Sequence, residues 1–97
     1  MTDAAETRLK KLRFRAWRRG FREADLILGP FADARLGGFS AAELDAFEAL
    51  LEQQDHDVYD WIIGKAEAPE AFAGPVLEAI RAFRFTLPIA RGDRAGV

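Results

Sequence analysis

The chain contains no cysteine, which excludes disulfides, thiol nucleophiles and cysteine-based zinc sites. Among its 97 residues there is one histidine, His56, and one serine, Ser40. That leaves little from which to build a hydrolytic triad or a transition-metal centre. Val, Ile and Thr are scarce, and no run of four or more residues alternates apolar with polar between turn residues, so strands are not expected. No segment approaches the ~20 consecutive apolar residues that cross a bilayer. The polar N-terminus, Met1 to Glu6, has no apolar signal-peptide core and is too acidic for a transit peptide. Gly37-Gly38 neither follows a strand signal nor precedes a Lys-Ser/Thr pair, so no phosphate loop is present. What remains is 49 % hydrophobic and 31 % charged, the composition of a single soluble globular domain with one modest core.

Helical signals are strong throughout. Leu9, Leu12, Ala16 and Trp17 recur at helical spacing over about Thr7 to Arg19. Phe14 is expected to extend that apolar face, with Lys11, Arg15, Arg18 and Arg22 opposite. Arg13 falls inside the apolar arc, where its charge needs a carboxylate or a route to water. A second helix is expected from about Phe21 through Leu26, Ile27 and Leu28, bent or broken at Gly29-Pro30 and resuming for a turn or two from Phe31 to Leu36. Ser40 and Glu43 form a capping box for a third helix that buries Leu44, Phe47, Leu50 and Leu51. Asp55 or Asp57 is expected to cap a fourth, which Gly64 ends, with Tyr59 and Trp61 read mainly as core. A fifth begins after Pro69 or Gly74-Pro75 and buries Val76, Leu77, Ile80 and Phe83. The expected fold is therefore all-α, a compact bundle of about five short helices. One domain spans 7–88, with flexible ends at 1–6 and 89–97.

Charge is unevenly distributed along this chain. Eight of the fourteen Lys and Arg residues lie between Arg8 and Arg22, whereas Glu23 to Asp60 holds ten acidic residues and only Arg35. A net charge of −2 conceals this dipole, whose junction is Gly20. Such a pattern suits a docking surface better than a catalytic pocket. The basic helix, interleaved with Phe14 and Trp17, could bind nucleic acid or lie on an anionic membrane. The acidic middle would repel the same polyanion, and a solvated helix face explains most of the arginines. His56, between Asp55 and Asp57, reads as a solvated residue at a helix start rather than a general base or metal ligand. Arg19-Gly20-x-x-Glu23 admits two readings. It is either a helix–helix corner trimmed by an i,i+4 ion pair, or a contact motif.

The ordered set Arg13-x-x-x-Trp17-x-Arg19-Gly20-x-x-Glu23-x-Asp25-x-x-Leu28 resembles the signature of the small FAD assembly factors of succinate dehydrogenase and fumarate reductase. The likeness continues through Phe31-Ala32, Leu44, Phe47, Leu50-Leu51-Glu52 and Asp55-x-Asp57-Val58-Tyr59-Asp60-Trp61-Ile62 to Gly64, and covers about residues 8 to 83. It implies a five-helix bundle acting as a chaperone, not an enzyme in its own right. The implied partner is the flavoprotein subunit of one or both complexes, on which covalent attachment of FAD is promoted. FAD would then be joined to a histidine of the partner and not held stably by this chain. The resemblance places the partner contact on Arg19, Gly20 and Glu23, with Arg13, Trp17 and Asp25 next; Trp17 is either core or contact. A Met-initiated chain without a transit peptide suggests a bacterial cytoplasm, a monomer when free is the default, and the acidic middle argues against nucleic-acid binding or membrane insertion.

Overall fold

A computed structural model describes residues 4–87, which form five α-helices and no strand among them: α1 (Ala4–Trp17), α2 (Arg22–Arg35), α3 (Ala41–Leu51), α4 (Asp55–Ile63) and α5 (Pro75–Arg84). A single 3-10 turn, Leu36–Gly38, follows α2. The bundle agrees with the all-α expectation. The first helix starts at Ala4, three residues sooner than the periodicity suggested, so Ala4 to Glu6 are helical. The flexible tail expected at 89–97 lies outside the described residues.

Local chemistry sets several boundaries. Ser40 Oγ accepts from the Glu43 N–H at 3.2 Å, and Glu43 Oε1 accepts from the Ser40 N–H at 2.8 Å, completing the capping box of α3. Gly64 ends α4 in the left-handed region, at φ 83°, with its N–H donated to Asp60 O. Pro75 opens α5 at its first helical position, where a missing N–H costs nothing. The start of α4 departs from expectation. Gln54 occupies its N-cap without a side-chain bond, and neither Asp55 nor Asp57 caps it.

The second helix also differs: it runs unbroken through Gly29-Pro30. An interior proline costs about 3 kcal/mol and a glycine about 1. Ile27, Leu28 and Phe31 flank the dipeptide and are all buried, each contributing about 1.5–3 kcal/mol. Burial therefore outweighs propensity. The second helix lies against α1, α4 and α5, and its Phe31 is the centre of the core. The Phe31 ring meets Phe39, Phe47 and Phe83 at centroid distances of 5.9, 5.8 and 5.5 Å. Beyond α4, Phe72 stacks on Trp61 at 5.4 Å, and Arg81 Nε donates to Trp61 O at 2.8 Å, satisfying a carbonyl of the last helical turn.

Gly29 has a second consequence. The indole of Trp17 lies directly on it, and a Cβ there would overlap the Cδ2, Cε2 and Cε3 carbons. Gly29→Ala is therefore expected to destabilise the protein in a urea titration. The overlap costs about 1–3 kcal/mol, and the ~1 kcal/mol gain in helix propensity offsets only part of it. A midpoint equal to or above wild type would show that Trp17 swings aside freely.

Candidate functional site

Four residues, 18 to 21, join α1 to α2, and Gly20 is the bend among them. Its φ of 90° lies in the left-handed region that side chains disfavour. Nothing lies within 4 Å of where a Cβ would project, so the outer side of the bend is open.

The residues on either side of Gly20 are fixed. Arg19 does not reach Glu23, because the first helix ends at Trp17 and an i,i+4 pair has no helix to sit on. Its guanidinium turns inward, with the side chain only 5 % exposed. Nη1 donates to Leu51 O at 2.6 Å and Nη2 to Gln53 O at 2.7 Å. Nε lies 2.7 Å from Asp55 Oδ1 without an aligned hydrogen bond, so that contact is purely electrostatic. One guanidinium thus satisfies carbonyls at the C-terminal end of α3 and faces a carboxylate in the first turn of α4. Both charges sit at the helix end that favours them. A planar fork with several donors can do this where an ammonium cannot.

Two further contacts complete the corner. Asp25 Oδ1 accepts the Arg19 N–H at 3.1 Å, which ties the loop to α2. The Phe21 ring rests 4.8 Å from the His56 ring and 5.4 Å from that of Tyr59, so it leans on α4. Glu23 is exposed in the first turn of α2 and makes no ion pair among the described residues. The residues predicted for the site are therefore unequal. Gly20 and Glu23 face outward, Arg19 and Asp25 are internal braces, and the charge-assisted partner contact expected of Arg19 is replaced by internal acceptors.

Trp17 and Arg13 stand beside this corner. Trp17 is both packed and accessible: its indole covers Gly29, its Nε1 donates to Asp33 Oδ2 at 3.0 Å, and it remains 40 % exposed. Arg13 forms no ion pair among the described residues. It is half-buried, donates weakly to Ala32 O at 3.5 Å and runs along Gly37, away from the bend.

Charges from the two halves of the sequence meet in space. Arg8 pairs with Asp45 at 2.6 Å and Glu48 at 2.9 Å, and Arg15 lies 3.5 Å from Glu48. Part of the basic helix is therefore matched to α3 rather than simply solvated, leaving fewer cations for a polyanion. Phe14 does not extend the apolar face as expected. It is 60 % exposed, on the cationic side of the helix, with Arg18 stacked 4.7 Å over its ring. Sequence reasoning also missed Asp55 and Phe21 as braces. One signal was available: the third helix ends at Leu51-Glu52-Gln53-Gln54 with neither a glycine nor a cation, so its last carbonyls had to be satisfied from elsewhere. Among the described residues no group of three or more His, Asp or Glu side chains is gathered to hold a metal ion, and no helix is long and apolar enough to cross a membrane.

A five-helix bundle presenting a braced, open glycine corner is a small helical module that offers a surface rather than a cleft. Residues 10–84 match the model of the Sdh5 family, described as flavinator of succinate dehydrogenase, and the chain belongs to that family. A Dictyostelium discoideum protein named succinate dehydrogenase assembly factor 2, mitochondrial, is 39 % identical over 72 residues, covering 74 % of this chain and 51 % of that protein. The FAD assembly factor SdhE of Acetobacter pasteurianus is 37 % identical over 75 residues, 77 % of this chain and 69 % of that one. An assembly factor 2 of Mycosarcoma maydis is 35 % identical over 72 residues, 74 % of this chain and 30 % of its own. The chain thus spans about half the length of the Dictyostelium relative and 69 % of the Acetobacter one.

Proposed function

We propose that this protein is an assembly factor that binds the flavoprotein subunit of succinate dehydrogenase, of fumarate reductase, or of both, and promotes covalent attachment of FAD there. The observation that carries the reading is the Gly20 bend. Its neighbours are held from α2, α3 and α4 while its own outer side is empty, so another backbone can approach closely. Family membership and the names of the relatives support the same reading.

The chain acts as a chaperone and not as an enzyme in its own right. It favours one conformation of the flavoprotein by binding it more tightly than the alternatives, which is the only way a ligand can shift such an equilibrium. FAD belongs to the partner, on a partner histidine, and His56 of this chain is not the attachment point. It is monomeric when free and meets its client in the bacterial cytoplasm. A nucleic-acid or membrane module is not favoured, since Arg8, Arg15 and Arg19 are committed to acceptors within the fold.

Co-expression of the flavoprotein subunit with and without this protein, followed by in-gel flavin fluorescence after denaturation, tests the reading. Fluorescence should depend on the protein; equal signals would overturn the proposal. Glu23→Ala should weaken the binary complex about tenfold, roughly 1.4 kcal/mol, without changing helical content. An unchanged affinity would remove Glu23 from the surface.

A further inference from the structure

Phe14 lies outside the corner and has no role in the fold. On α1 it stands about 160° around the axis from both Leu12 and Ala16, at ~100° per residue, so it points away from the core. The same arithmetic puts Lys10, Lys11 and Arg18 within about 60° of it. All four side chains are exposed. Among the described residues neither Lys10, Lys11 nor Arg18 forms an ion pair, whereas Arg8 and Arg15, further around the helix, do. The first helix therefore carries a balanced edge facing α3 and an unbalanced one facing out, with a phenyl ring at its centre.

This edge leads directly to the corner. An open groove of about 330 Å³ is lined by Phe14, Arg15 and Arg18 of this stretch together with Arg19, Leu51 and Asp55. The phenyl ring and the Arg19–Asp55 brace beside Gly20 thus line the same groove. Its lining carries a cationic surplus: Arg15, Arg18 and Arg19 stand against one carboxylate, Asp55, which Arg19 already faces at 2.7 Å. With a surplus of arginine and an exposed phenyl ring at its edge, the groove suits a short segment with one or two carboxylates next to an apolar side chain.

We infer that Lys10, Lys11, Phe14 and Arg18 form a second contact for the flavoprotein subunit, taking an acidic segment of that subunit whose apolar neighbour packs on Phe14. The inference rests on the function proposed above. The glycine corner gives close backbone approach, and the first helix adds charge steering and one aromatic anchor.

The test uses the full chain and the purified flavoprotein subunit lacking covalent flavin, with affinity measured by calorimetry across a range of salt concentrations. Phe14→Ala and Arg18→Ala should each weaken binding about tenfold, with melting temperatures unchanged because both side chains are exposed. The pair Lys10→Ala, Lys11→Ala should flatten the salt dependence. Affinities within twofold of wild type for all of these, while Gly20→Arg abolishes binding, would overturn the inference and leave the corner as the sole contact. Absence of binding by the wild type would overturn the function and the inference together. Vesicles of phosphatidylglycerol supply the remaining arm. If wild type binds them, and the Phe14 and Arg18 variants lose that binding while keeping full affinity for the flavoprotein, the edge is a membrane contact and the inference fails.

Discussion

Gly20→Arg is expected to abolish protein-dependent flavin fluorescence in the client while leaving the helical bundle folded. Two terms separate function from stability at this position. A left-handed φ costs a side-chain residue about 1–2 kcal/mol, which lowers the melting temperature of a domain this size by about 5–15 °C. The new side chain itself meets nothing within 4 Å, so it adds no internal clash. It would, however, fill the space a partner must enter. Gly20→Ala separates the contributions, since it bears a similar backbone penalty with one methyl group. An alanine variant that keeps most activity, beside an inactive arginine variant of similar melting temperature, would locate the defect at the contact. An arginine variant that is simply unfolded would reduce the bend to a structural corner.

Arg19→Ala should show the opposite profile, a large loss of stability. The guanidinium is 5 % exposed, donates to Leu51 O and Gln53 O and faces Asp55. Each hydrogen bond to a charged group contributes about 1.5–3 kcal/mol; Arg19 makes two, and Asp55, one-third exposed, keeps some access to water. A loss of about 3 kcal/mol or more is expected, lowering the melting temperature by more than about 10 °C. Client binding should fall as well, because the residue next to Gly20 is no longer held. Arg19→Lys should lie between, as it retains charge but not the fork. A melting curve for Arg19→Ala that overlays wild type would show that the α3–α4 corner holds without the brace.

These two neighbours mark what the sequence could reveal. The glycine could be singled out because its signal is local, and the same is true of Ser40 with Glu43 and of Gly64. Each fixes a chain direction through bonds to residues three or four positions away. The inward turn of Arg19 depends on acceptors 32 and 34 residues further along, beyond any local pattern. Asp55 was legible as an acid in a helical first turn, but not as the counter-charge of a buried arginine. The continuity of α2 through Gly29-Pro30 was hidden for a related reason: local propensity argues for a break, and only the assembled core argues against it. Phe14 was misplaced because it was grouped with Trp17, about 60° away at ~100° per residue, although the same periodicity sets it about 160° from Leu12 and Ala16.

The braced corner bears on how such a factor would let go. A bend pinned by Asp25, the α3–α4 carbonyls and the Phe21 ring has little ordering left to undergo, so little entropy is lost on contact and little is recovered on departure. Nothing in that arrangement can sense whether a client is finished. If the client is a flavoprotein, release would then have to be driven from the client's side, with the bundle serving as a fixed template.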